Sequence, residues 1–305
     1  MEFLSQQLVN GLTLGGVYAL IALGYTLIYG VLQLLNFAHG DVYMVGAFIG
    51  FFVMVGLGGP TSPVVPAAVM ILLMFLVAML GSGILGVLIE RFAYRPLRNS
   101  SRIAPLISAL GVSLFLQNSV LLLFSSRFRS YDTTDYVDPT RGVTIGAVTV
   151  DYVRILVVTL AIVLMIVLVK VVDGTRFGRS MRAIAFDRDA AVMMGIDVDR
   201  VIVGTFFVAS ALAGAAGVMV GLVFFNVYSY MGFLAGLKGF TAAVVGGIGS
   251  IPGAMVGGLL IGVTESFTAG YISANFASVI TFLLLITVML VKPRGILGKA
   301  AIVKV

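Results

Sequence analysis

Cysteine is absent from this sequence and histidine occurs once, as His39, which excludes several kinds of chemistry. Without cysteine the protein forms no disulfide and has no thiolate to act as a nucleophile or a metal ligand. A single histidine excludes motifs that bind a metal through two histidines, and the common structural zinc sites also need cysteine. We therefore expect neither a metal nor a cofactor.

The signatures of an ATPase or a hydrolase are missing as well. A Walker A motif ends in Lys followed by Ser or Thr, and none of the five lysines has such a neighbour. The sequence also lacks the G-x-S-x-G turn that exposes a nucleophilic serine in many hydrolases. We expect a protein that is not an enzyme, so any ATP it depends on is hydrolysed by a separate subunit.

Charged residues are scarce, at 10% of the chain, whereas 60% of the residues are hydrophobic and the mean hydropathy is +1.13. These values indicate a polytopic membrane protein, and we expect one all-α membrane domain over residues 1–305. The net charge of +6 would suggest nucleic acid as the partner of a soluble protein. Here the basic residues cluster in loops between apolar runs, so membrane lipid and not nucleic acid is expected.

Apolar runs of about 20 residues, the length that a helix needs to cross a bilayer, recur along the chain. A further segment, 234–250, contains Lys238 and several glycines, so it is either a broken span or a re-entrant segment. Glycine pairs spaced four apart, such as Gly258 and Gly262, predict close packing between helices. The eight clear spans are 8–32, 41–57, 64–89, 103–124, 153–172, 201–225, 254–271 and 276–291.

Arginine and lysine in the loops indicate the orientation of the chain, because short basic loops stay in the cytoplasm. The loop 91–102, the segment 174–200 and the C-terminal tail are basic, whereas acidic residues offset the arginines of the outer loop 125–152. The N-terminus is then outside and the C-terminus inside, which requires an odd number of spans. We expect nine, with 234–250 as a crossing. Eight spans are the alternative, but they would place one basic loop on the wrong face unless another segment is also re-entrant. Within the outer loop, the alternating residues 142–150 predict a small hairpin.

A weak internal symmetry divides the chain into two halves. Each half begins with a glycine-rich span followed by a short polar break, NFAHGD at 36–41 and GLKGF at 236–240. Halves separated by five spans are inverted relative to each other, an arrangement that places a transport path at the membrane midplane.

Charged and polar groups at membrane depth are few, and they mark candidate positions along a transport path. Lys238 and Glu265 either pair with each other or serve the path separately, and Lys238 could instead extend to an interface. Asn36, His39 and Asp41 are also candidates for the path. The alternative for Asn36 and Asp41 is that they cap the ends of a broken helix.

The segment 174–200 is a polar island between two apolar runs. On a helix, its apolar residues form one stripe beside a stripe of arginines. The apolar stripe consists of Phe177, Met181, Ile184 and Ala191. We expect an amphipathic helix over 176–194, held at the membrane surface where it can receive force from a soluble partner.

Asp189, Ala190 and Ala191, followed by Gly195, resemble the EAA-x3-G loop of ABC-importer permeases, with Asp in place of Glu and no I-x-L-P element downstream. The resemblance implies that these residues, with Arg182 on the arginine stripe, couple the protein to an ATPase subunit. Small alanines suit a helix that lies in a groove of its partner. Gly195 predicts the end of that helix.

Longer motifs resemble the LivH-like permease subunits of branched-chain amino acid importers. They are NFAHGDVYMVGAF at 36–48, ERFAYRPLR at 90–98, GFTAAVVGGIGSIPGAMVGG at 239–258 and KPRGILG at 292–298. The resemblance covers nearly the whole chain and implies a multi-pass protein of the bacterial inner membrane. It implies as partners a second, LivM-like permease, two cytoplasmic ABC ATPases and an extracytoplasmic binding protein. The implied substrate is leucine, isoleucine or valine, although relatives take urea, amides or other amino acids.

The residues alone leave two other classes of function open. A secondary transporter driven by an ion gradient would use Asp41, Glu265 and Lys238 as relay groups, although the sequence has few acids within its spans. A membrane scaffold or lipid-binding protein would carry no solute. Uptake measurements separate all three classes.

Overall fold

The computed structural model of the chain describes residues 2–59, 65–98, 100–101, 103–131, 142–145 and 148–298, and most of these described residues are helical. The middle of the outer loop and the last lysines, Lys299 and Lys304, lie outside the described residues. The helices are α1 (Glu2–Leu32), α2 (His39–Gly56), α3 (Ala67–Ile89), α4 (Ile103–Phe124), α5 (Tyr152–Gly174), α6 (Arg176–Phe186), α7 (Arg188–Met193), α8 (Val198–Phe224), α9 (Met231–Gly246), α10 (Ile251–Tyr271) and α11 (Ala274–Val291).

Within the described residues, four short strands form two antiparallel ladders. Strand β1 (Arg129–Ser130) pairs with β4 (Asn226–Val227), which ties the loop after α4 to the loop after α8. Strands β2 (Gly142–Ile145) and β3 (Val148–Asp151) pair with each other and confirm the hairpin predicted in the outer loop.

Eight of the described helices are long and apolar enough to cross a membrane, and they correspond to the eight predicted spans. The two largest differences are at the start of α1, which begins at Glu2 rather than near Leu8, and at the end of the third span, which reaches Leu97 rather than residue 89. The third span is lengthened because α3 continues through a π-helical turn (Glu90–Tyr94) and a 3-10 turn (Arg95–Leu97). The polytopic helical bundle is thereby confirmed.

Helix α9 is the segment whose course the sequence left open. It has 16 residues, about 24 Å of helix, which is shorter than the roughly 30 Å hydrocarbon core of a bilayer. The helix is continuous through Lys238, so the break expected at 236–240 is absent. Its start adjoins β4, and at its other end the Val245 carbonyl accepts a hydrogen bond from the Ile296 amide (2.9 Å). Helix α9 therefore connects opposite ends of the bundle, as a ninth crossing would.

The loops that connect successive helices lie alternately at one end of the bundle and at the other. At one end, the Ser229 hydroxyl donates to the Ser125 carbonyl (3.0 Å), which joins the loop after α8 to the loop after α4. At the other end, the Tyr94 hydroxyl donates to the Leu35 carbonyl (3.1 Å), which joins the end of the third span to the α1–α2 connection. We call these the β-strand end and the α6–α7 end.

The packing supports an internal repeat, with α1, α2 and α3 equivalent to α8, α9 and α10. Helix α1 packs on α10 as α8 packs on α3, and α1 contacts α9 as α8 contacts α2. Helices α1 and α8 both end at a non-glycine residue in the left-handed region, Gln33 (φ 53°) and Phe225 (φ 57°), 192 positions apart. The following helices start at His39 and Met231, at the same separation. The break equivalent to 36–41 is thus the connection after α8 and not GLKGF.

Glycines set the distance between the crossing helices. On α10, Gly258 lies against Ala19 and Gly262 against Gly15, both on α1. A Cβ atom on Gly262 would overlap the backbone of Gly15, so only glycine permits this approach. The spacing of four predicted between Gly258 and Gly262 therefore corresponds to a real helix crossing.

We predict that Gly262→Ala destabilises the folded bundle by about 1–3 kcal/mol, because the added methyl forces α1 and α10 apart. Gly111→Ala on α4 is the matched control, since nothing lies within 4 Å of the position where its Cβ would be placed. The measurement is thermal unfolding of the purified chain in detergent. Equal melting temperatures for the two variants would show that this crossing does not limit stability.

Candidate functional site

The amphipathic segment at the α6–α7 end forms two helices, whereas the sequence predicted one over 176–194. The chain breaks at Asp187, which has an extended backbone (φ −153°, ψ 110°). Its carboxylate accepts hydrogen bonds from the amides of Asp189 (3.0 Å) and Ala190 (3.1 Å) and so caps α7. The single-helix prediction is wrong because the short Asp side chain stabilises a new helix start here.

Helix α6 is fastened to the end of α5. The Thr175 hydroxyl accepts from the Gly178 amide (3.1 Å) and caps α6. The Arg182 guanidinium donates to the Val172 carbonyl and lies 3.3 Å from the Asp173 carboxylate. Arg182 thus neutralises the C-terminal end of α5 and fixes the angle between the two helices.

The apolar stripe of the segment faces the bundle, as its amphipathic pattern predicts. Met181, Ile184 and Ala191 are buried, and Phe177 packs against Gly204 of α8. Ala191 is only 3% exposed, although it belongs to the EAA-like motif. It therefore anchors α7 to the bundle and does not form part of its outer surface.

The outer side of α7 is apolar and exposed at an end of the bundle. Met193 and Met194 are each 82% exposed. Gly195, at φ 79°, ends the helix as predicted, and its amide donates to the Val192 carbonyl (2.9 Å). We define the α7 surface as Asp189, Ala190, Val192, Met193 and Met194, all of which are exposed.

A chain of charges links the start of α8, the helix that follows α7, to the third span. Asp199, in the first turn of α8, pairs with Arg95 (2.5 Å) and with Arg98 (2.5 Å). Arg98 is itself nearly buried and also pairs with Glu90, which is fully buried. The motif ERFAYRPLR predicted the orientation and the family resemblance but not this Glu90–Arg98–Asp199 network. A signal existed only for the pair of Glu90 with Arg98, as an acid at the start of a basic motif.

A cavity of about 720 Å³ opens at the β-strand end. It lies among α1, α8, α9 and α10, and the start of α5 contributes Arg154 to its rim. Its deeper part contains Tyr18, Lys238 and Glu265. Lys238 and Glu265 form an ion pair, so the structure brings together two of the residues predicted for the path.

The other three predicted path residues lie at the start of α2, apart from this cavity. The Asn36 side chain accepts from the Ala38 amide (3.1 Å), which supports the structural interpretation of that residue. His39 is buried with its ring 4.9 Å from that of Tyr25. Asp41 is buried in the first turn of α2. A role for these residues in transport stays a prediction.

Comparison with known proteins agrees with this architecture. The family model described as "Branched-chain amino acid transport system / permease component" matches residues 7–289. The high-affinity branched-chain amino acid transport system permease protein BraD of Pseudomonas aeruginosa is 44% identical over 98% of this chain and 97% of its own length.

Two further relatives extend the comparison. The high-affinity branched-chain amino acid transport system permease protein LivH of Escherichia coli is 43% identical, again over 98% of this chain and 97% of its own length. A probable branched-chain amino acid transport permease protein, LivH of Methanocaldococcus jannaschii, is 30% identical over 92% of this chain and 88% of its own length. The chain belongs to the family of branched-chain amino acid transport system permease components.

Proposed function

We propose that this chain is the transmembrane permease subunit of an ATP-driven importer of branched-chain amino acids in the bacterial inner membrane. The observation that carries the proposal is the pairing of two features at opposite ends of one bundle. The exposed α7 surface lies at one end, and the cavity opens at the other. The relatives are named as permeases of branched-chain amino acid transport systems, which supports leucine, isoleucine or valine as substrate.

The partners are inferred from the exposed α7 surface and from the absence of an ATPase motif in the sequence. With no Walker A lysine in the sequence, ATP is hydrolysed by two separate cytoplasmic subunits, which dock on the α7 surface. Apolar side chains as exposed as Met193 and Met194 suit contact with another protein, because methionine adapts its shape to a groove. A second, related permease and an extracytoplasmic binding protein complete the importer.

Two connections carry movement of α7 into the bundle. The first runs through α6 to α5, where Arg182 joins the helices. The second runs into α8, where Asp199 is paired with the arginines that hold the end of the third span. Because α8 packs on α1, α2 and α3, a displacement of its first turn is passed to three further helices. Closure of the ATPases would thereby open the path alternately to each side.

The orientation agrees with import. The α6–α7 end carries the basic loop that ends the third span and the arginines of α6, so it faces the cytoplasm. The cavity then opens to the outside, where a binding protein delivers the substrate. The N-terminus lies outside and the C-terminus inside.

The buried Lys238–Glu265 pair favours one competing function, an ion-gradient transporter that uses these charges as relays. The two functions differ in their energy source. We expect uptake of leucine into proteoliposomes containing the complete complex to require ATP and to continue when an ionophore collapses the proton gradient. Loss of uptake on collapse of the gradient, with ATP held constant, would favour the secondary transporter.

A bulky residue at position 190 tests whether the α7 surface docks on the ATPase. We predict that Ala190→Phe lowers ATP-driven leucine uptake by at least about tenfold, because the ring keeps α7 out of the partner's groove and costs more than about 1.4 kcal/mol of docking. Basal ATP hydrolysis and membrane insertion should persist. Ala191 is unsuitable for this test because it is buried.

Ala274→Phe is the matched control for this variant, because Ala274 is also an exposed alanine at the start of a helix but lies at the β-strand end. Its uptake should equal that of the unsubstituted protein. If Ala190→Phe also transports normally, the α7 surface does not dock the ATPase.

The orientation can be tested with single cysteines, since the chain has none of its own. We predict that Met194→Cys reacts with a membrane-impermeant maleimide only from the cytoplasmic side and Ile272→Cys only from outside. Both side chains are well exposed, at 82% and 67%. The measurement compares intact spheroplasts with inside-out vesicles, and the opposite labelling pattern would invert the topology.

A further inference from the structure

We infer that the Lys238–Glu265 pair and the cavity around it form a recognition site for a zwitterionic amino acid with an aliphatic side chain. The substrate carboxylate would bind at the Lys238 ammonium group and the substrate ammonium group at the Glu265 carboxylate. This inference rests on the proposed function and adds the position and the chemistry of a substrate site.

The two charges are placed so that a ligand can reach them. Lys238 lies near the middle of α9 and Glu265 on the neighbouring α10, each less than a tenth exposed, and both line the cavity. Within the described part of the chain, the Glu265 Oε2 atom is buried and has no hydrogen-bond partner. A buried carboxylate oxygen without a partner is costly, and a ligand ammonium group would satisfy it.

Stability alone does not account for a charge pair at this depth. Replacing a buried ion pair by neutral residues of similar size is often neutral or stabilising, because both charges lose their hydration on folding. Ionisable residues within a membrane span are accordingly rare and tend to mark a path or a site. Tyr18 lines the same cavity, and Lys238 Nζ lies 5.9 Å from the centre of its ring, so the face of this aromatic residue helps to hold the ammonium group.

The walls of the cavity fit an aliphatic side chain. Most of the surface near the charge pair is hydrocarbon, and a charged substrate side chain would be expensive to bury against it. The apolar wall includes Leu14, Val220, Val223, Met231, Leu234 and Ala235. The volume of about 720 Å³ lies within the roughly 300–1,000 Å³ range of small-molecule sites and leaves room for water around one amino acid. Such a loose fit suits a site that must release its ligand.

The charge balance of the cavity favours a zwitterion over an anion or a cation. Lys238 and Glu265 cancel each other. The remaining charged residue of the described lining is Arg154, which pairs with Asp151 (2.8 Å) at the rim and donates to the Asn10 side chain. A zwitterionic ligand can therefore bind with its carboxylate at Lys238 and its ammonium group at Glu265. The occupied site then carries no net buried charge.

Because the chain contains no cysteine, a single introduced thiol can report whether leucine occupies the cavity. Leu234→Cys places one thiol on the cavity wall, and its reaction with an impermeant maleimide is followed on this subunit of the purified complex in proteoliposomes. We expect L-leucine to slow the reaction in a concentration-dependent way. Ile272→Cys, at the same end but outside the described cavity lining, is the control and should react at the same rate with or without leucine.

Two analogues separate recognition of charge from simple filling of the cavity. The first, 4-methylpentanoate, lacks the ammonium group, and the second, 3-methylbutylamine, lacks the carboxylate. Loss of one charge-assisted hydrogen bond predicts that each analogue needs at least about a tenfold higher concentration for equal protection. Equal protection by either analogue and by leucine would overturn the inference.

The double variant Lys238→Met with Glu265→Gln removes both charges, so that neither is left buried alone. Added to Leu234→Cys, it should abolish leucine protection or weaken it by at least about tenfold, with protection measured as the ratio of labelling rates with and without leucine in the same variant. A purely structural pair would leave protection intact. If this variant does not assemble, the analogue comparison still decides the question on the unsubstituted pair.

The same proteoliposomes separate this inference from the proposed function. Normal ATP-driven leucine uptake with no protection by leucine at the Leu234→Cys thiol would overturn the recognition site and leave the import function intact. Absence of ATP-driven uptake would contradict the import function, whereas protection would still support an amino-acid site.

Discussion

The close approach of α1 to α10 at glycine is the contact on which the transport features depend. Within a bilayer the surrounding lipid is as apolar as the helices, so packing and not the hydrophobic effect decides which helices associate. Gly262 lies against Gly15, and Glu265 follows less than one turn later on α10. This contact therefore sets how far Glu265 stands from Tyr18 on α1.

The two ends of the bundle are built from different interactions. At the α6–α7 end, helix caps and ion pairs such as that of Asp199 with Arg98 hold short helices at fixed angles. At the β-strand end, the loops are joined by backbone ladders, and Tyr131 is buried against Gly50 and Gly221. Burial raises the pKa of the Tyr131 hydroxyl well above its usual range, so it stays protonated and donates to the Ala47 carbonyl (3.3 Å). The charged end carries the proposed docking surface, and the other end surrounds the cavity.

Most of the fold could be predicted from the sequence because length and hydropathy alone define a membrane span, and glycine at 195 marks a helix end in any context. The break at Asp187 could not be predicted from the sequence, because Asp is also tolerated within a helix. It caps a new helix only where the packing of the bundle bends the chain. Pairing of Lys238 with Glu265 was one of several open alternatives, because it depends on how α9 and α10 pack. Arg98 and Asp199 lie far apart in sequence, so no local pattern connects them.

The shortness of α9 determines how thick a barrier the substrate meets. From Lys238 to the end of this helix at Gly246 there are eight residues, which is about 12 Å of helix. The cavity reaches Lys238 from the other side. At the substrate site that we infer there, less than half of the roughly 30 Å hydrocarbon core would remain between the ligand and the α6–α7 end.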